Sequence, residues 1–427
     1  MKKLLSSLWR SNHAWSITGQ ALFLGCNFLT FVLLVKALPT HEFGAWAIYM
    51  TVIAIVDSMR QGLLQNGLTR ELIQSPGQRG SLISSALCIN LFIILLAAVG
   101  MLVWGLMNNH NLLTSALFQN AYKSLLSLGL VQFINILYFS RQDFKGYASS
   151  QFAYAIVFIS GLVILVANNQ MTPLAILDLQ LMAVILPVML ALYTEFRRIE
   201  LPRKAQINSL LQFGKYTAGT NLLSMLFHKA DILMLAWFTN SSAVALFHFA
   251  TKIVGYAELP LNALSQVIYP KLAAAHTVKG TQAVRHTYFK SVITLLCFIV
   301  PITIITLLFK DQIINLLGSH EYSNTSLLIT CLMLACLVKP LGRVFGLTLD
   351  AIGQPQVNFQ MLMISLVINV SMNLILIPVY GVMGAAIATS SSILITVSIG
   401  QLHLRKILNI HFKDLKAACL AHFSRSF

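Results

Sequence analysis

Residues 82–107 (LISSALCINLFIILLAAVGMLVWGLM) form a run of 26 residues without a charged side chain. A helix of this length rises about 39 Å, which is enough to cross the roughly 30 Å hydrocarbon core of a bilayer with some tilt. Apolar runs near 20 residues, as opposed to segments of about ten alternating residues, indicate membrane helices. The stretch therefore predicts a transmembrane helix and a helical membrane fold.

The whole chain has the same apolar character. Of its 427 residues 57% are hydrophobic and 10% are charged, and the mean hydropathy is +0.76. An ordinary soluble domain has about 25% charged residues, so this balance excludes a disordered chain, a coiled coil, a disulfide scaffold and a standard soluble enzyme. The net charge of +16 does not indicate nucleic-acid binding, because the basic residues alternate with apolar spans and form no continuous stripe.

Twelve apolar segments are long enough to span a bilayer. They cover residues 14–35, 43–59, 82–107, 116–139, 148–167, 173–193, 210–237, 243–268, 288–309, 325–347, 357–378 and 383–404. We therefore predict an all-α polytopic membrane protein with about twelve transmembrane helices. The six cysteines are scattered through the chain and include no CxxC pair, so we expect free thiols and no metal site.

Basic residues indicate the orientation of these spans. With twelve spans, 21 Lys and Arg residues fall on the side of both termini, and only Lys36 and Lys310 fall on the other. Because cytoplasmic loops carry the excess of Lys and Arg, we expect both termini in the cytoplasm. The segment Met1–Arg10 lacks the features of a cleavable signal peptide, and we interpret it as mature sequence.

A polar segment divides the chain into two halves. Glu195–Ser209 (EFRRIELPRKAQINS) follows six predicted spans and precedes six more, a division that is frequent among transporters. We therefore predict an N-terminal six-helix lobe over residues 1–200, a C-terminal six-helix lobe over 201–407, and a cytoplasmic tail over 408–427.

Polar residues recur at helical spacing within several apolar spans. They are Ser16, Gln20, Asn27 and Thr30 in the first, Thr217, Asn221, Ser224, His228 and Asp231 in the seventh, His248, Lys252 and Tyr256 in the eighth, and Ser365, Asn369 and Asn373 in the eleventh. Such a face avoids lipid and meets either other helices or water. We favour interhelical hydrogen bonds for the uncharged stripes and a water-filled cavity for the seventh and eighth spans.

Charged residues at membrane depth point to the kind of substrate. Six basic residues lie within spans, namely Lys123, Lys215, Lys229, Lys252, Lys339 and Arg343, against the acids Asp57, Asp231 and Glu258. A cavity with surplus positive charge suits an anionic substrate better than a cationic drug. Lys123 and Lys339 could equally snorkel to an interface, and Arg343 is better interpreted as an anchor at the inner interface.

The in-span acids allow more specific hypotheses. Asp231 and Lys252 lie on neighbouring antiparallel spans at similar depth, so we expect an ion pair between them. Asp57 and Arg60 lie near the inner end of the second span, where Arg60 could snorkel. Glu258 has no obvious basic partner in the sequence and could accept a coupling proton.

Four stretches resemble the Wzx-like polysaccharide and O-antigen-unit flippases of the multidrug/oligosaccharidyl-lipid/polysaccharide exporter superfamily. They are Gly19–Met50, Asp57–Glu71, Asp231–Pro270 and Ala351–Ser390. The most specific part is residues 369–389 (NVSMNLILIPVYGVMGAAIAT). The resemblance extends along the chain in order.

This resemblance implies both a fold and a function. The expected fold is two six-helix lobes in a V around a central cavity. The expected function is transport, without enzymatic chemistry, of an undecaprenyl-pyrophosphate-linked oligosaccharide repeat unit across the bacterial inner membrane for surface polysaccharide assembly. Expected partners are this lipid-linked oligosaccharide, the bilayer, and a polysaccharide polymerase and chain-length regulator. No cofactor is implied, although coupling to H⁺ or Na⁺ is expected.

The residues that we assign to the substrate cavity share a polar face or a charge at membrane depth: Lys252, Lys229, Asp231, His228, Asn221, Arg60, Lys123, Gln20 and Asn27. For ion coupling the candidates are Glu258 and Asp57.

Three alternative functions remain open. A multidrug exporter of the same fold would need a surplus of cavity acids. A membrane glycosyltransferase or polymerase would need a large outer loop, whereas the longest predicted here, Lys310–Asn324, has 15 residues. An unrelated sugar porter would need a Gly-x-x-x-Asp-Arg loop after the second span, which residues 61–80 lack.

Overall fold

The computed structural model of the chain describes residues 12–107, 112–194 and 200–408, with side chains described from residue 24 onwards except at 76, 277–279 and 281. Within these ranges the chain forms α-helices and short 3-10 turns, and no β-strand occurs there. The predicted all-α fold is confirmed. The Met1–Arg10 segment and residues 409–427 of the predicted tail lie outside the described residues.

The helices up to residue 194 account for the first six predicted spans. They are α1 Asn12–Ala37, α2 Thr40–Gln74, α3 Arg79–Met107, α4 Leu112–Gln119, α5 Ala121–Ser140, α6 Phe144–Ala167, α7 Pro173–Ala183 and α8 Ile185–Thr194. Thr172 shows why α7 begins where it does: its hydroxyl oxygen accepts a hydrogen bond from the Ala175 amide, and a proline occupies the first turn, as helix N-termini favour.

The helices from residue 200 onwards account for the other six predicted spans. They are α9 Lys204–Phe238, α10 Ser241–Ala257, α11 Leu259–Leu308, α12 Lys310–Leu317, α13 Ser326–Cys336, α14 Lys339–Ala351 and α15 Pro355–Leu408. Two of them are each broken by a glycine with positive φ, Gly280 (64°) in α11 and Gly381 (55°) in α15. Glycine adopts this region without steric cost. α15 therefore supplies the two predicted spans 357–378 and 383–404, and α11 supplies the end of 243–268 together with 288–309.

Seven described helices are long and apolar enough to cross a membrane, and an eighth is added if the pair His320–Cys336 and Lys339–Ala351, bent by 41°, counts as one span. The 54-residue helix α15 is one of the seven and would extend about 80 Å if straight, twice what one span needs. α9 falls outside this set because polar residues interrupt its apolar surface, and α10 because its 17 residues are too few to qualify alone.

By its internal contacts the chain forms two compact units, which we call unit 1 (residues up to Lys229) and unit 2 (residues from Ala230). Their division lies within α9. The lobe boundary predicted at residues 200/201 from the polar segment stays a prediction.

The first half of α9 packs into the core of unit 1. Leu210 of α9 is fully buried with Leu64 and Leu68 of α2 and Phe133 of α5. The backbones of α2 and α9 approach very closely at two glycines of unit 1. A Cβ added to Gly214 would lie 2.1 Å from the carbonyl oxygen of Leu63, and one added to Gly62 would lie 2.8 Å from the Cα of Ala218. Small residues at helix crossings allow this approach in membranes.

A buried ion pair joins α2 to α3 in unit 1. Arg60, which is 2% exposed, donates from Nη2 to Asp57 Oδ1 at 2.5 Å and from Nη1 to Asn90 Oδ1 at 2.7 Å. Gln61 donates to the other oxygen of Asp57 at 2.5 Å. The expectation that Arg60 snorkels to the interface is wrong, because Asp57 and Asn90 satisfy its guanidinium inside the helical core.

A substitution at Gly214 tests the close packing of α2 and α9. Gly214→Ala is expected to destabilise unit 1 by about 1–3 kcal/mol, because the added methyl group collides with the Leu63 carbonyl and the helices must separate. The matched control is Gly219→Ala, where nothing lies within 4 Å of the added Cβ and alanine is the better helix former. Equilibrium unfolding in mixed detergent–SDS micelles measures both, and equal stability of the two variants would contradict the packing.

Removing Asp57 tests the buried ion pair. Asp57→Ala leaves the Arg60 charge buried without a carboxylate, so we expect a loss of about 3–5 kcal/mol of stability. The control is Asp178→Ala, because Asp178 pairs with Lys123 but is 54% exposed, and exposed pairs contribute less than about 1 kcal/mol. The same unfolding measurement serves, and a double variant Asp57→Leu, Arg60→Met should recover most of the loss. Similar losses in the two alanine variants would show that burial does not set the strength of the Asp57 pair.

Candidate functional site

Two cavity candidates of unit 1 bond to neighbouring helices. Lys123 donates to Asp178 Oδ1 at 2.5 Å and is 16% exposed. Asn221 donates from Nδ2 to the Ser58 backbone oxygen at 3.3 Å, and the Ser58 hydroxyl donates to the Asn221 carbonyl at 3.2 Å. These bonds hold α5 to α7 and α2 to α9. They are the interhelical bonds that polar residues within apolar helices favour.

Other predicted cavity residues of unit 1 lie at its surface. His228 is exposed and its ring contacts Phe227 edge-on, with centroids 5.3 Å apart. Lys229 is half-buried and Asn27 is exposed. Gln20 lies in α1, but its side chain lies outside the described side chains. Their assignment to a substrate cavity stays a prediction.

Asp231 lies in the polar interior of unit 2. It is 9% exposed and accepts hydrogen bonds from Asn373 Nδ2 at 2.5 Å and from Thr389 Oγ1 at 2.8 Å. Asn373 also donates to Asn369 Oδ1 at 3.1 Å. The predicted ion pair between Asp231 and Lys252 is wrong: within the described part of unit 2, Asp231 has only neutral donors, because both halves of α15 bring their polar faces to it.

Several side-chain oxygens converge around Asp231. They are both of its carboxylate oxygens, the hydroxyl of Thr389 and the amide oxygen of Asn369, which accepts from the same Asn373 nitrogen as Asp231. Asn373 Oδ1 is buried and accepts no hydrogen bond. Carboxylate, amide and hydroxyl oxygens are ligands for hard cations and not for soft metals. The described residues contain no group of three or more His, Cys, Asp or Glu side chains placed to hold a metal ion.

Lys252 is half-buried on α10. Among the described residues no carboxylate lies within 4 Å of its ammonium group, and no hydrogen bond to it is formed. The cost of a charge at the centre of a membrane helix is about 2.5–3.5 kcal/mol on insertion scales. Lys252 is therefore a basic residue within a predicted span, and the described residues of unit 2 provide no carboxylate that pairs with it.

Glu258 and Lys339 form an ion pair in unit 2. Lys339 donates to Glu258 Oε1, and the Cys336 thiol donates to the same oxygen at 3.0 Å. The side chains are 22% and 30% exposed for Glu258 and Lys339. The expectation that Glu258 lacks a basic partner is wrong, because α14 begins with Lys339 directly beside it. Arg343, predicted as an anchor, is exposed and bonds to Asn262 and Ser265.

Sequence reasoning missed several members of these clusters. Thr389, Asn90 and Cys336 each complete a polar cluster although none stands out in its own helix. The signal for Asn90 was available: it is the one amide in the uncharged run 82–107. The stripe of Asn369 and Asn373 was found from its spacing, and the structure adds that it faces Asp231.

Known structures share this fold at low sequence identity. A multidrug resistance MATE family transporter of the MOP superfamily, in an inward-facing conformation, matches with a TM-score of 0.76 and 14% identity, over 94% of this chain and 99% of that chain. The lipid II flippase MurJ matches with the same TM-score and 15% identity, over 95% of this chain and 90% of that chain. The chain has the fold of this superfamily, with about twelve transmembrane helices.

Sequence comparisons reach a more specific family. A curated relative, the "Probable low-salt glycan biosynthesis flippase Agl15" of Haloferax volcanii, is 22% identical over 212 residues, which are 50% of this chain and 45% of the relative. The chain thus spans less than half of the length of the curated relatives that it matches. The family profile described as "Polysaccharide biosynthesis protein" matches residues 33–327. The chain therefore belongs to this family of polysaccharide biosynthesis proteins.

Proposed function

We propose that the protein is a flippase, a transporter without covalent chemistry, which moves undecaprenyl-pyrophosphate-linked oligosaccharide repeat units across the bacterial inner membrane for surface polysaccharide assembly. Family membership and the similarity to a glycan flippase support the reaction class. The observation in the structure that carries the proposal is Lys252, a cation in a membrane-spanning helix without a counter-charge among the described residues.

The physical reason lies in the chemistry of the substrate. A pyrophosphate and a sugar chain lose their hydration when they cross about 30 Å of hydrocarbon. An uncompensated ammonium group at membrane depth replaces part of this hydration, and the anion in turn neutralises the ammonium group. The prenyl tail needs no such help and stays in lipid.

The alternative functions fit the geometry less well. A multidrug exporter needs accessible acids that hold a cationic drug, whereas Asp57 and Glu258 are each bonded to a base and Asp231 is enclosed by amide and hydroxyl donors. A glycosyltransferase or polymerase needs room outside the membrane for an acceptor. The predicted outer connections between α1 and α2 and between α9 and α10 are two residues each, 38–39 and 239–240.

The proposal includes a location and partners. The excess of Lys and Arg on one side of the twelve spans supports a multi-pass protein of the inner membrane with both termini in the cytoplasm. A polysaccharide polymerase and a chain-length regulator are the partner proteins that would use the translocated repeat unit.

Substitutions at Lys252 test the substrate class. Lys252→Gln keeps the length and polarity of the side chain but removes its charge, so we expect at least a tenfold loss of surface polysaccharide in a strain whose own flippase gene is deleted. Lys252→Arg should retain part of the activity, because a guanidinium group also binds phosphate. The control is Lys271→Gln, at an exposed position of α11 outside the predicted spans. Membrane abundance is measured in parallel, and full activity of Lys252→Gln at normal abundance would contradict the proposal.

We further propose that transport is coupled to H⁺ or Na⁺ at Asp231. A buried carboxylate that forms no direct ion pair is costly, and either a proton or a bound cation relieves that cost. The carboxylate and hydroxyl oxygens at Asp231, together with the buried and unpaired Asn373 Oδ1 nearby, support a small hard cation. The coupling roles predicted for Glu258 and Asp57 stay predictions, and both carboxylates already have a basic partner.

Asp231→Asn tests this coupling, with Asp311→Asn at an exposed position as the control. If Na⁺ binds, replacing choline chloride with NaCl raises the melting temperature of the wild type by linkage and has no effect on Asp231→Asn. If a proton is the coupling ion, Na⁺ has no effect, and flipping into proteoliposomes loses its pH dependence in Asp231→Asn. Wild-type flipping by Asp231→Asn with unchanged Na⁺ and pH responses would exclude the coupling role.

A further inference from the structure

Two helices of unit 2 meet through a ladder of polar side chains. Glu258, Asn262 and Ser265 follow one another along the end of α10 and the first turns of α11 at helical spacing. They bond to Lys339 and Arg343, which lie one turn apart on α14. Residues at these spacings share one helix face, so the ladder has two rungs, one at Lys339 and one at Arg343.

The two rungs differ in charge. At the first rung the Lys339 ammonium group and the Glu258 carboxylate neutralise each other. At the second rung Arg343 donates from Nε to Ser265 Oγ at 3.0 Å and from Nη2 to Asn262 Oδ1 at 2.5 Å. Both acceptors are neutral, and no carboxylate of the described residues lies within 4 Å of the guanidinium group. The second rung therefore keeps a full positive charge.

The hydrogen bonds fix the guanidinium group in one orientation. The Ser265 hydroxyl donates to the Leu261 carbonyl at 2.6 Å, so its lone pairs are left to accept from Arg343. Ser265 is 6% exposed, whereas Arg343 and Asn262 are exposed. The edge with Nε is thus held against the helix pair. Nη1 has no hydrogen-bond partner in the described part of the chain. Nη1, together with the second hydrogen of Nη2, is left to donate to an anion.

The position of Arg343 along the helices indicates at which stage of transport it would meet the substrate. Asn262 follows Lys252 by ten residues, a rise of at most about 15 Å, since the chain passes from α10 to α11 at Glu258. In the predicted topology this displacement is towards the cytoplasm, where a lipid-linked repeat unit begins its path. The two uncompensated cations Lys252 and Arg343 thus lie at different depths of unit 2.

We propose that Arg343, held by Asn262 and Ser265, is a binding site for the phosphate groups of a polyprenyl pyrophosphate, which it receives on the cytoplasmic side before they reach Lys252. This inference rests on the proposed flippase function. The free end of a guanidinium group binds two phosphate oxygens at once, which the single ammonium group of a lysine does not. Asn262 and Ser265 are positioning residues, because they act through Arg343.

Binding of undecaprenyl pyrophosphate tests the site. The full chain is placed in nanodiscs of phosphatidylcholine, radiolabelled undecaprenyl pyrophosphate is added, and the bound fraction is measured. We expect Arg343→Gln to weaken binding at least tenfold, Arg343→Lys to weaken it less, and Asn262→Ala to weaken it two- to fivefold. The matched control is Arg405→Gln at an exposed position in the last turn of α15, which should bind like the wild type.

A second arm separates the substrate from ordinary lipid. Phosphatidylglycerol also carries a phosphate anion, so its retention by the purified protein is measured by native mass spectrometry. If Arg343→Gln loses phosphatidylglycerol but binds undecaprenyl pyrophosphate normally, the residue is a lipid anchor and the proposal is overturned. Normal undecaprenyl pyrophosphate binding by a folded Arg343→Gln overturns it as well.

Stability and the wild type provide the remaining controls. If Arg343→Gln fails to fold, Asn262→Ala and Ser265→Ala decide, because each leaves the charge in place, and unchanged binding in both overturns the proposal. If the wild type itself does not bind undecaprenyl pyrophosphate, the proposed function fails together with this site. If the Arg343, Asn262 and Ser265 variants all bind undecaprenyl pyrophosphate as tightly as the wild type, the proposed site is wrong and the proposed function still stands.

Discussion

The constraint on which this structure depends is the cost of a polar or charged group in hydrocarbon. Water is absent from the bilayer core, so each such group needs a partner inside the protein or a function that requires it. In a chain whose residues are 57% hydrophobic, the few charges within the spans therefore mark where the fold is held together or where a ligand is bound. Their partners distinguish these two cases.

The two units meet this constraint in different ways. In unit 1 two of the in-span bases form ion pairs, Arg60 with Asp57 and Lys123 with Asp178. Here polar groups serve the packing of helices, as do the glycines at which α2 and α9 approach. In unit 2 the pair Glu258–Lys339 is likewise neutral. Lys252 and Arg343, in contrast, have no carboxylate within 4 Å among the described residues. Asp231 accepts hydrogen bonds from neutral donors and forms no ion pair there, although Lys339 acts on it electrostatically. Such groups are typical of sites that bind ions or charged substrates.

The comparisons and the charges answer separate questions. A drug transporter and a lipid flippase match the fold with the same TM-score, so the arrangement of helices does not choose a substrate. Family membership favours polysaccharide biosynthesis. The choice of a lipid-linked pyrophosphate as the substrate rests on the two cations of unit 2 and on the hydrogen bonds that amide and hydroxyl donors make to Asp231.

The sequence by itself determined the membrane class and the helical fold, because apolar runs of bilayer length are local properties of the chain. It also located the polar faces, including that of Asn369 and Asn373, since the helical repeat fixes which residues share a face. The sequence did not determine which side chains pair with each other. Asp231 pairs with α15 instead of Lys252, and Glu258 pairs with Lys339, because contacts between helices distant in sequence depend on how the helices pack. Only the tertiary structure could therefore separate the charges that hold the fold together from those left for a ligand.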